Sequence, residues 1–84
     1  MTTNNRKKKY TVTFHLNGEK FIKKQNSVDD AIMKVKPDFL HTEMYVSVKK
    51  GKDVMDRHLN LLEGRKLFAN ETFREIFINN LMLT

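Results

Sequence analysis

Asn17 and Gly18, near the start of the chain, constrain its fold most strongly. They follow a segment, residues 10–16, in which large apolar side chains alternate with Thr and His. Such alternation is typical of a strand that is buried on one face. Asn-Gly directly after it indicates a two-residue β-hairpin, because a type I′ turn requires positive φ at both central residues. The sequence therefore predicts a hairpin whose return strand spans residues 19–24.

A two-residue loop also fixes which residues of the hairpin lie opposite each other. It pairs Phe14 with Phe21 on the core face and Thr13 with Ile22 on the other face. Lys23 then points the same way as Phe21, although it is charged. A charged residue on the core side is typical of an edge strand, so we expect the return strand either to leave the core early or to lie at the sheet edge.

A helix and a further strand are predicted after the hairpin. Ser27 is a suitable N-cap, and the helix that it begins has one apolar stripe. Pro37 ends this helix, because proline cannot donate the next backbone hydrogen bond. Alternation around Tyr45 predicts the strand, and residues 49–53 are predicted to form a turn. The apolar stripe of the helix consists of Val28, Ala31, Ile32 and Val35.

Residues 54–62 admit two interpretations. As a strand they would complete a second hairpin, but their apolar residues do not alternate cleanly. As a helix they would have Asp53 as N-cap and Gly64 as the left-handed C-terminal residue, and the helix is favoured. Residues 65–69 are predicted to form a connector or short strand.

Asn70 is predicted to cap a final helix, with Glu71 in its first turn. The predicted fold is thus a single α+β domain over residues 9–84. It has a small, mostly antiparallel sheet with a ββαβ start, followed by one or two C-terminal helices. The predicted core face of the final helix consists of Phe73, Ile76, Phe77 and Leu81.

Several classes of protein are disfavoured by what the sequence lacks. It has no cysteine, so neither a disulfide nor a thiolate metal site can form. No apolar run approaches the roughly 18 residues of a membrane span, and no apolar stretch follows the basic start as in a secretory signal. Residues 1–8 are polar and basic, and we expect a flexible tail. These features favour a cytoplasmic protein without a membrane association.

Catalysis has little support in the sequence. His15, His41 and His58 are far apart and lie in unlike contexts, and no zinc-binding or nucleophile motif occurs. We expect His15 to be a surface residue of its strand and His58 to be partly buried on a helix. The sequence thus predicts no catalytic residue, no metal, no cofactor and no enzymatic activity.

Charge is distributed unevenly along the chain. Residues 1–52 hold twelve basic and five acidic side chains, a net charge of +7, whereas residues 53–84 have a net charge of −1. One hypothesis is therefore a nucleic-acid-binding protein that neutralises phosphates with a lysine-rich arm and hairpin. The arm consists of Arg6, Lys7, Lys8 and Lys9.

The favoured hypothesis is a module that binds a larger protein with an acidic surface. Lysines of the hairpin and of the predicted turn at residues 49–53 would speed association with this partner. An exposed aromatic residue would anchor the complex. Tyr45 is the candidate anchor, because it lies on the non-core face of its strand; the alternative is that a helix covers it. The surplus of large apolar residues in the C-terminal half would suit a docking patch or a homodimer face. The candidate lysines are Lys20, Lys23, Lys24, Lys49, Lys50 and Lys52.

In its composition the chain resembles small bacteriophage-encoded early proteins. It is short, free of cysteine, rich in Lys, Asn, Phe and Ile, and basic at its start. The resemblance implies a non-enzymatic protein that binds and inhibits or redirects a host protein in the host cytoplasm. It carries over no functional residue.

Overall fold

The computed structural model describes residues 9–81 and confirms the hairpin and its register. Strand β1 (Tyr10–Leu16) pairs antiparallel with β2 (Glu19–Gln25), with Phe14 opposite Phe21 and Thr13 opposite Ile22. Asn17 and Gly18 have φ values of 49° and 78°, as a type I′ turn requires. The predicted tail, residues 1–8, lies outside the described residues.

The first helix, α1 (Val28–Val35), also agrees with the prediction. The Ser27 hydroxyl accepts a hydrogen bond from the Asp30 backbone N–H at 3.1 Å, which caps the helix. All four residues of the predicted stripe are buried, and Pro37 follows the helix end.

The fold is α+β, with a four-stranded antiparallel sheet followed by helices. β3 (Met44–Lys50) pairs with β1, and β4 (Asp53–Leu59) pairs with β3, which gives the strand order β2-β1-β3-β4. The β2 strand therefore lies at the sheet edge, as its charged core-side position indicated.

The favoured interpretation of residues 54–62 is wrong. Asp53 does not cap a helix but begins β4, opposite Lys50, and a short turn at Gly51 and Lys52 joins the strands. Lys49 and Lys50 likewise belong to β3 rather than to the turn. Alternation in β4 was obscured because Arg57, a polar residue, occupies a core-side position between Met55 and Leu59. On this edge strand its guanidinium donates to the carbonyl oxygen of Asn80, which directly follows the last helix, at 3.3 Å.

The assignment of residues 60–69 is corrected as well. Helix α2 (Leu61–Ala69) replaces the predicted connector, and Gly64 lies buried inside it rather than at a helix end. The capping signal is Asn60 with Glu63: the Asn60 side chain accepts from the Glu63 N–H at 2.8 Å, and the Glu63 carboxylate accepts from the Asn60 N–H at 3.0 Å.

Helix α3 (Glu71–Asn79) follows at once, and its predicted Asn70 cap is confirmed. The Asn70 side chain accepts from the Phe73 N–H at 2.9 Å, while its own N–H donates to the Lys66 carbonyl oxygen of α2. Phe77 is buried as predicted, but Ile76 is 54% exposed and does not belong to the core.

All three helices pack on one face of the sheet, where the core lies. Side chains of β1 and β3 meet those of the helices there, and Phe14, Ile32 and Leu67 are fully buried. Arg74 is the buried charged residue of the described part. Its Nε donates to Asp29 Oδ1 at 2.7 Å and its Nη1 to the Leu67 carbonyl oxygen at 3.1 Å, so it ties α3 to both other helices.

Replacing Arg74 with Met keeps much of its volume and removes both hydrogen bonds. We expect the free energy of unfolding to fall by about 1–3 kcal/mol, because hydrogen bonds to charged groups are lost and the Leu67 carbonyl loses its donor. Urea unfolding measures the change. Lys66→Met, at an exposed position of α2, is the control and should change stability by about 0.5 kcal/mol or less. Equal effects of the two changes would contradict this role of Arg74.

Gly64 allows the segment before β3 to approach α2 closely. A Cβ atom there would lie 2.5 Å from Leu40 Cδ2 and 3.1 Å from Met44 Sδ, and both neighbours are buried. Gly64→Ala should therefore lower the free energy of unfolding by about 1 kcal/mol. Overpacking destabilises the fold by about 1–3 kcal/mol, and the better helix propensity of Ala offsets about 1 kcal/mol of this loss. In a Leu40→Ala background, which removes the clash, Gly64→Ala should instead stabilise. Thermal unfolding of the four proteins tests this reversal of sign.

Candidate functional site

The sheet has one face that no helix covers within residues 9–81, and we call it the open face. Each strand contributes every second residue to it, since side chains of a strand alternate between faces. Nine of its twelve residues are exposed, and the three hydroxyl residues in its middle are half-buried. The open face consists of Thr11, Thr13, His15, Lys20, Ile22, Lys24, Tyr45, Ser47, Lys49, Val54, Asp56 and His58.

Tyr45 stands in a cross-strand row near the β1–β2 turn, which we call the Tyr45 row. The antiparallel register places Lys20 opposite His15, His15 opposite Tyr45, and Tyr45 opposite His58. Tyr45 is 53% exposed, so the alternative that a helix covers it is wrong. Its ring lies 4.7 Å from the His58 ring, and His58 Nε2 lies 3.1 Å from Glu43 Oε1. The anchor candidate therefore has a ring contact with His58 on β4 and His15 as its neighbour on β1, and about half of its surface is open to solvent.

The two imidazoles beside Tyr45 are a feature that the sequence interpretation missed. It placed His58 on a helix and partly buried, whereas His58 is an exposed residue of β4. The error follows from the assignment of residues 54–62, because only the β3–β4 register brings His58 to Tyr45. His15 lies on the surface of its strand, as predicted. His41 lies apart, in the segment before β3.

Lysines dispersed in the sequence gather at the other end of the sheet, which we call the basic end. Lys24 and Lys49 flank Thr11 on the open face. This row crosses β1 at Thr11 and the Tyr45 row crosses it at His15, four positions later. The two rows are therefore about 13 Å apart at the usual rise of a strand. Around it lie Lys9, which precedes β1, Lys23 on the helix-covered side, and Lys50 and Lys52 at the β3–β4 turn.

The candidate lysines therefore do not share one surface. Lys20, Lys24 and Lys49 belong to the open face together with Tyr45. Lys23 and Lys50 point to the opposite side of the sheet, and the Lys50 ammonium lies 5.9 Å from the Tyr10 ring centroid, in cation–π geometry. The remaining one, Lys52, lies in the turn. In the arm, Arg6, Lys7 and Lys8 are outside the described residues and precede Lys9 directly in the sequence.

Charge is segregated between the layers of the molecule. Residues 9–25 and 44–59, which form the sheet, hold eight basic and three acidic side chains, a net charge of +5. The other residues from 26 to 81 hold five basic and seven acidic side chains, a net charge of −2. A charged surface of one sign attracts partners of the opposite sign and raises association rates. The sheet is therefore the side that an acidic partner meets first.

The middle of the open face carries short polar side chains. Thr13 and Ser47 lie opposite each other at its centre, between Ile22 on β2 and Asp56 on β4. A shallow depression runs beside them, lined by His15, Tyr45, Ser47 and Asp56. Among residues 9–81, no three His, Asp or Glu side chains are grouped so that they could hold a metal ion. Such a surface can bind a partner through van der Waals contacts of its exposed side chains and through electrostatic attraction to its lysines.

Comparison with known proteins adds no relationship to this geometry. No protein-family model, curated protein or solved structure matches the chain. In the part of the chain that the structure describes, no helix is both long enough and apolar enough to cross a membrane.

Proposed function

We propose that this protein is a non-catalytic module that binds and modulates a larger cytoplasmic protein by docking its open face on an acidic surface. The observation that carries the proposal is the Tyr45 row. It combines one exposed aromatic side chain, two imidazoles and a lysine on an uncovered sheet face. Aromatic side chains dominate the energetics of protein interfaces, whereas charges at the rim mainly steer the encounter.

The charge distribution supports a partner with an acidic surface. The open face holds three lysines and one aspartate, a net charge of +2, and belongs to a sheet layer of net charge +5, whereas the remaining described residues have a net charge of −2. The same positive charge disfavours a homodimer through this face, because two open faces would repel each other.

The compositional resemblance to small bacteriophage early proteins supports inhibition as the mode of action. A module without a catalytic constellation acts by occupying a surface that its target needs. In this proposal the partner is a host protein in the bacterial cytoplasm, and the open face competes with one of its natural ligands.

Nucleic acid is the second candidate partner, and the basic end is the observation that favours it. Six lysines lie at this end of the sheet, on both of its sides, and the first of them, Lys9, is the last residue of the basic arm. Lysines attract phosphates without requiring a base sequence, and the exposed Tyr45 ring offers a stacking platform. The short hydroxyl side chains at the centre of the open face, Thr13 and Ser47, also leave room for a single strand.

Tyr45→Ala tests the docking proposal. We expect the variant to capture at least about tenfold less of one stoichiometric protein from nuclease-treated bacterial lysate, because an interface anchor contributes about 2 kcal/mol or more. Its melting temperature should fall by about 5 °C or less, since the ring is exposed and its cross-strand contacts contribute only about 0.2–1 kcal/mol.

The matched control is Ile76→Ala, which shortens an equally exposed apolar residue on α3. It should capture the same protein as the unmodified chain. Binding constants of the purified partner with all three proteins then complete the test. Equal capture by the Tyr45 and Ile76 variants would reject the open face as the docking surface.

Salt dependence separates the two partner classes. We expect no binding of a fluorescent fifteen-nucleotide dT oligomer at 150 mM NaCl if the partner is a protein. Measurable affinity that falls steeply from 50 to 200 mM NaCl would instead favour nucleic acid. In that case deletion of residues 1–9 should lower both the affinity and the slope of its salt dependence. Fluorescence anisotropy measures both quantities.

A further inference from the structure

A second surface lies away from the open face, where the segment between α1 and β3 packs on α2. Lys36, Pro37, Asp38 and Phe39 border a cleft of about 250 Å³, and Arg65 and Phe68 of α2 form its other side. We call it the Phe39 cleft. Its size is below the roughly 300–1,000 Å³ of small-molecule sites and suits a single inserted side chain.

Phe39 is exposed and yet held in place. Its side chain is 56% exposed, but the Arg65 guanidinium lies 4.8 Å from its ring centroid. On another side the His41 ring meets it edge-on, with centroids 4.8 Å apart and planes at 70°. Both contacts have geometries that stabilise an aromatic ring. An exposed apolar ring that is contacted on two sides in this way is a pre-organised contact residue.

The backbone around Phe39 is fixed as well. The Asn17 side-chain amide donates to the Phe39 carbonyl oxygen at 2.9 Å and accepts from the His41 N–H at 2.6 Å. Nε and Nη2 of Arg65 donate to the Leu40 carbonyl oxygen at 3.3 and 3.2 Å. The Leu40 side chain itself is buried against Gly64. Because this segment is already ordered, little conformational entropy is lost when a partner binds it.

We propose that the Phe39 cleft is a second docking surface, which takes one aromatic or aliphatic side chain of a partner segment flanked by carboxylates. The apolar requirement follows from Phe39, Pro37 and Phe68. The acidic requirement follows from charge complementarity, since Lys36 and Arg65 border the cleft against one carboxylate, Asp38. This surface is separate from the open face and does not depend on the function proposed for it.

The surface continues along α2 in the direction of its N-terminus. Leu62 is 63% exposed and lies three residues before Arg65, a spacing that places two helical residues on the same side. Phe39, Arg65 and Leu62 thus combine an aromatic ring, a guanidinium and an aliphatic side chain. Aromatic residues and Arg are enriched at protein interfaces, whereas two cations beside an apolar cleft are few for a nucleic-acid backbone. The composition favours a peptide.

Amide chemical-shift mapping of the ¹⁵N-labelled protein tests the proposal. The probe is the peptide Ac-Glu-Asp-Phe-Glu-Asp-NH₂, added up to 5 mM. We expect saturating shifts of the backbone amides of residue 36, residues 38–41 and residues 62–69; Pro37 has no amide N–H and gives no signal. The same peptide with Ala in place of Phe should bind at least about tenfold more weakly, because the inserted ring supplies the apolar contact. Equal shifts from both peptides, or no shifts at 5 mM, would overturn the proposal.

Variants show whether the cleft itself binds the peptide. Phe39→Ala and Arg65→Ala should each weaken binding at least about fivefold, whereas the control Ile76→Ala should not. Phe39→Leu keeps an apolar group without the ring and should retain part of the affinity. Spectra of all variants show whether the fold is intact. Full affinity in a folded Phe39→Ala variant would reject the proposal.

Two further measurements separate this proposal from its competitors. Tyr45→Ala should bind the peptide normally, so a failure of the open-face proposal leaves this result unchanged. A five-nucleotide dT oligomer should not shift the cleft amides. Peptide-induced shifts that map to the Tyr45 row would place the binding site on the open face and overturn the Phe39 cleft proposal. Larger shifts of the cleft amides with the oligomer than with the peptide would overturn it as well.

Discussion

Asn17 connects two parts of the molecule on which both candidate surfaces depend. Its positive φ, followed by that of Gly18, turns β1 into β2 and thereby sets the register that aligns Lys20, His15 and Tyr45. Its side chain then bonds to the backbone on both sides of Leu40, at Phe39 and His41, and its backbone N–H donates to the Thr42 hydroxyl at 3.1 Å. One residue thus closes the hairpin and positions the chain before β3. The Tyr45 row and the Phe39 cleft are held at a fixed separation because they share this support.

The one-sided packing of the sheet explains why a broad surface is left for binding. A chain of this size buries only about 60–65% of its unfolded surface. Its three helices, none longer than nine residues in the described part, cover one sheet face and are joined by the buried Arg74. The other face is stable in water because hydroxyl and charged residues occupy most of it. Ile22, Tyr45 and Val54, each 53% exposed, are its large apolar side chains. Since single exposed apolar residues are common, it is the setting of Tyr45 between two imidazoles that distinguishes this face.

Local signals predicted the first half of the fold and the Asn70-capped final helix, and they failed between residues 53 and 69 for identifiable reasons. The hairpin register and the α1 stripe follow from turn chemistry and periodicity, which act over a few residues. The β4 strand was misassigned because Arg57 interrupts the alternation at a sheet edge, where a long polar side chain can reach solvent and the Asn80 carbonyl. That error concealed the position of His58 beside Tyr45. The Phe39 cleft was not predictable, since it arises from contacts between α2 and residues about 25 positions earlier, at Leu40, Arg65 and Gly64. Exposure of Tyr45 was one of two alternatives, and only the packing of the helices decides between them.

The two surfaces would contribute to binding in physically different ways. Lysines of the open face and the basic end act over about a Debye length, roughly 8 Å at physiological ionic strength, so they accelerate association and lose their effect as salt rises. Contacts at Tyr45 and in the Phe39 cleft act at short range and are largely insensitive to salt, so they determine how slowly a complex dissociates. A partner that meets both surfaces gains from the hydrogen bonds by which Asn17 joins them, since the second contact then forms at a high effective concentration without ordering a linker. In this scheme the uneven charge distribution orients the protein as it approaches its partner, and the contacts of Tyr45 and Phe39 set the dissociation rate of the complex.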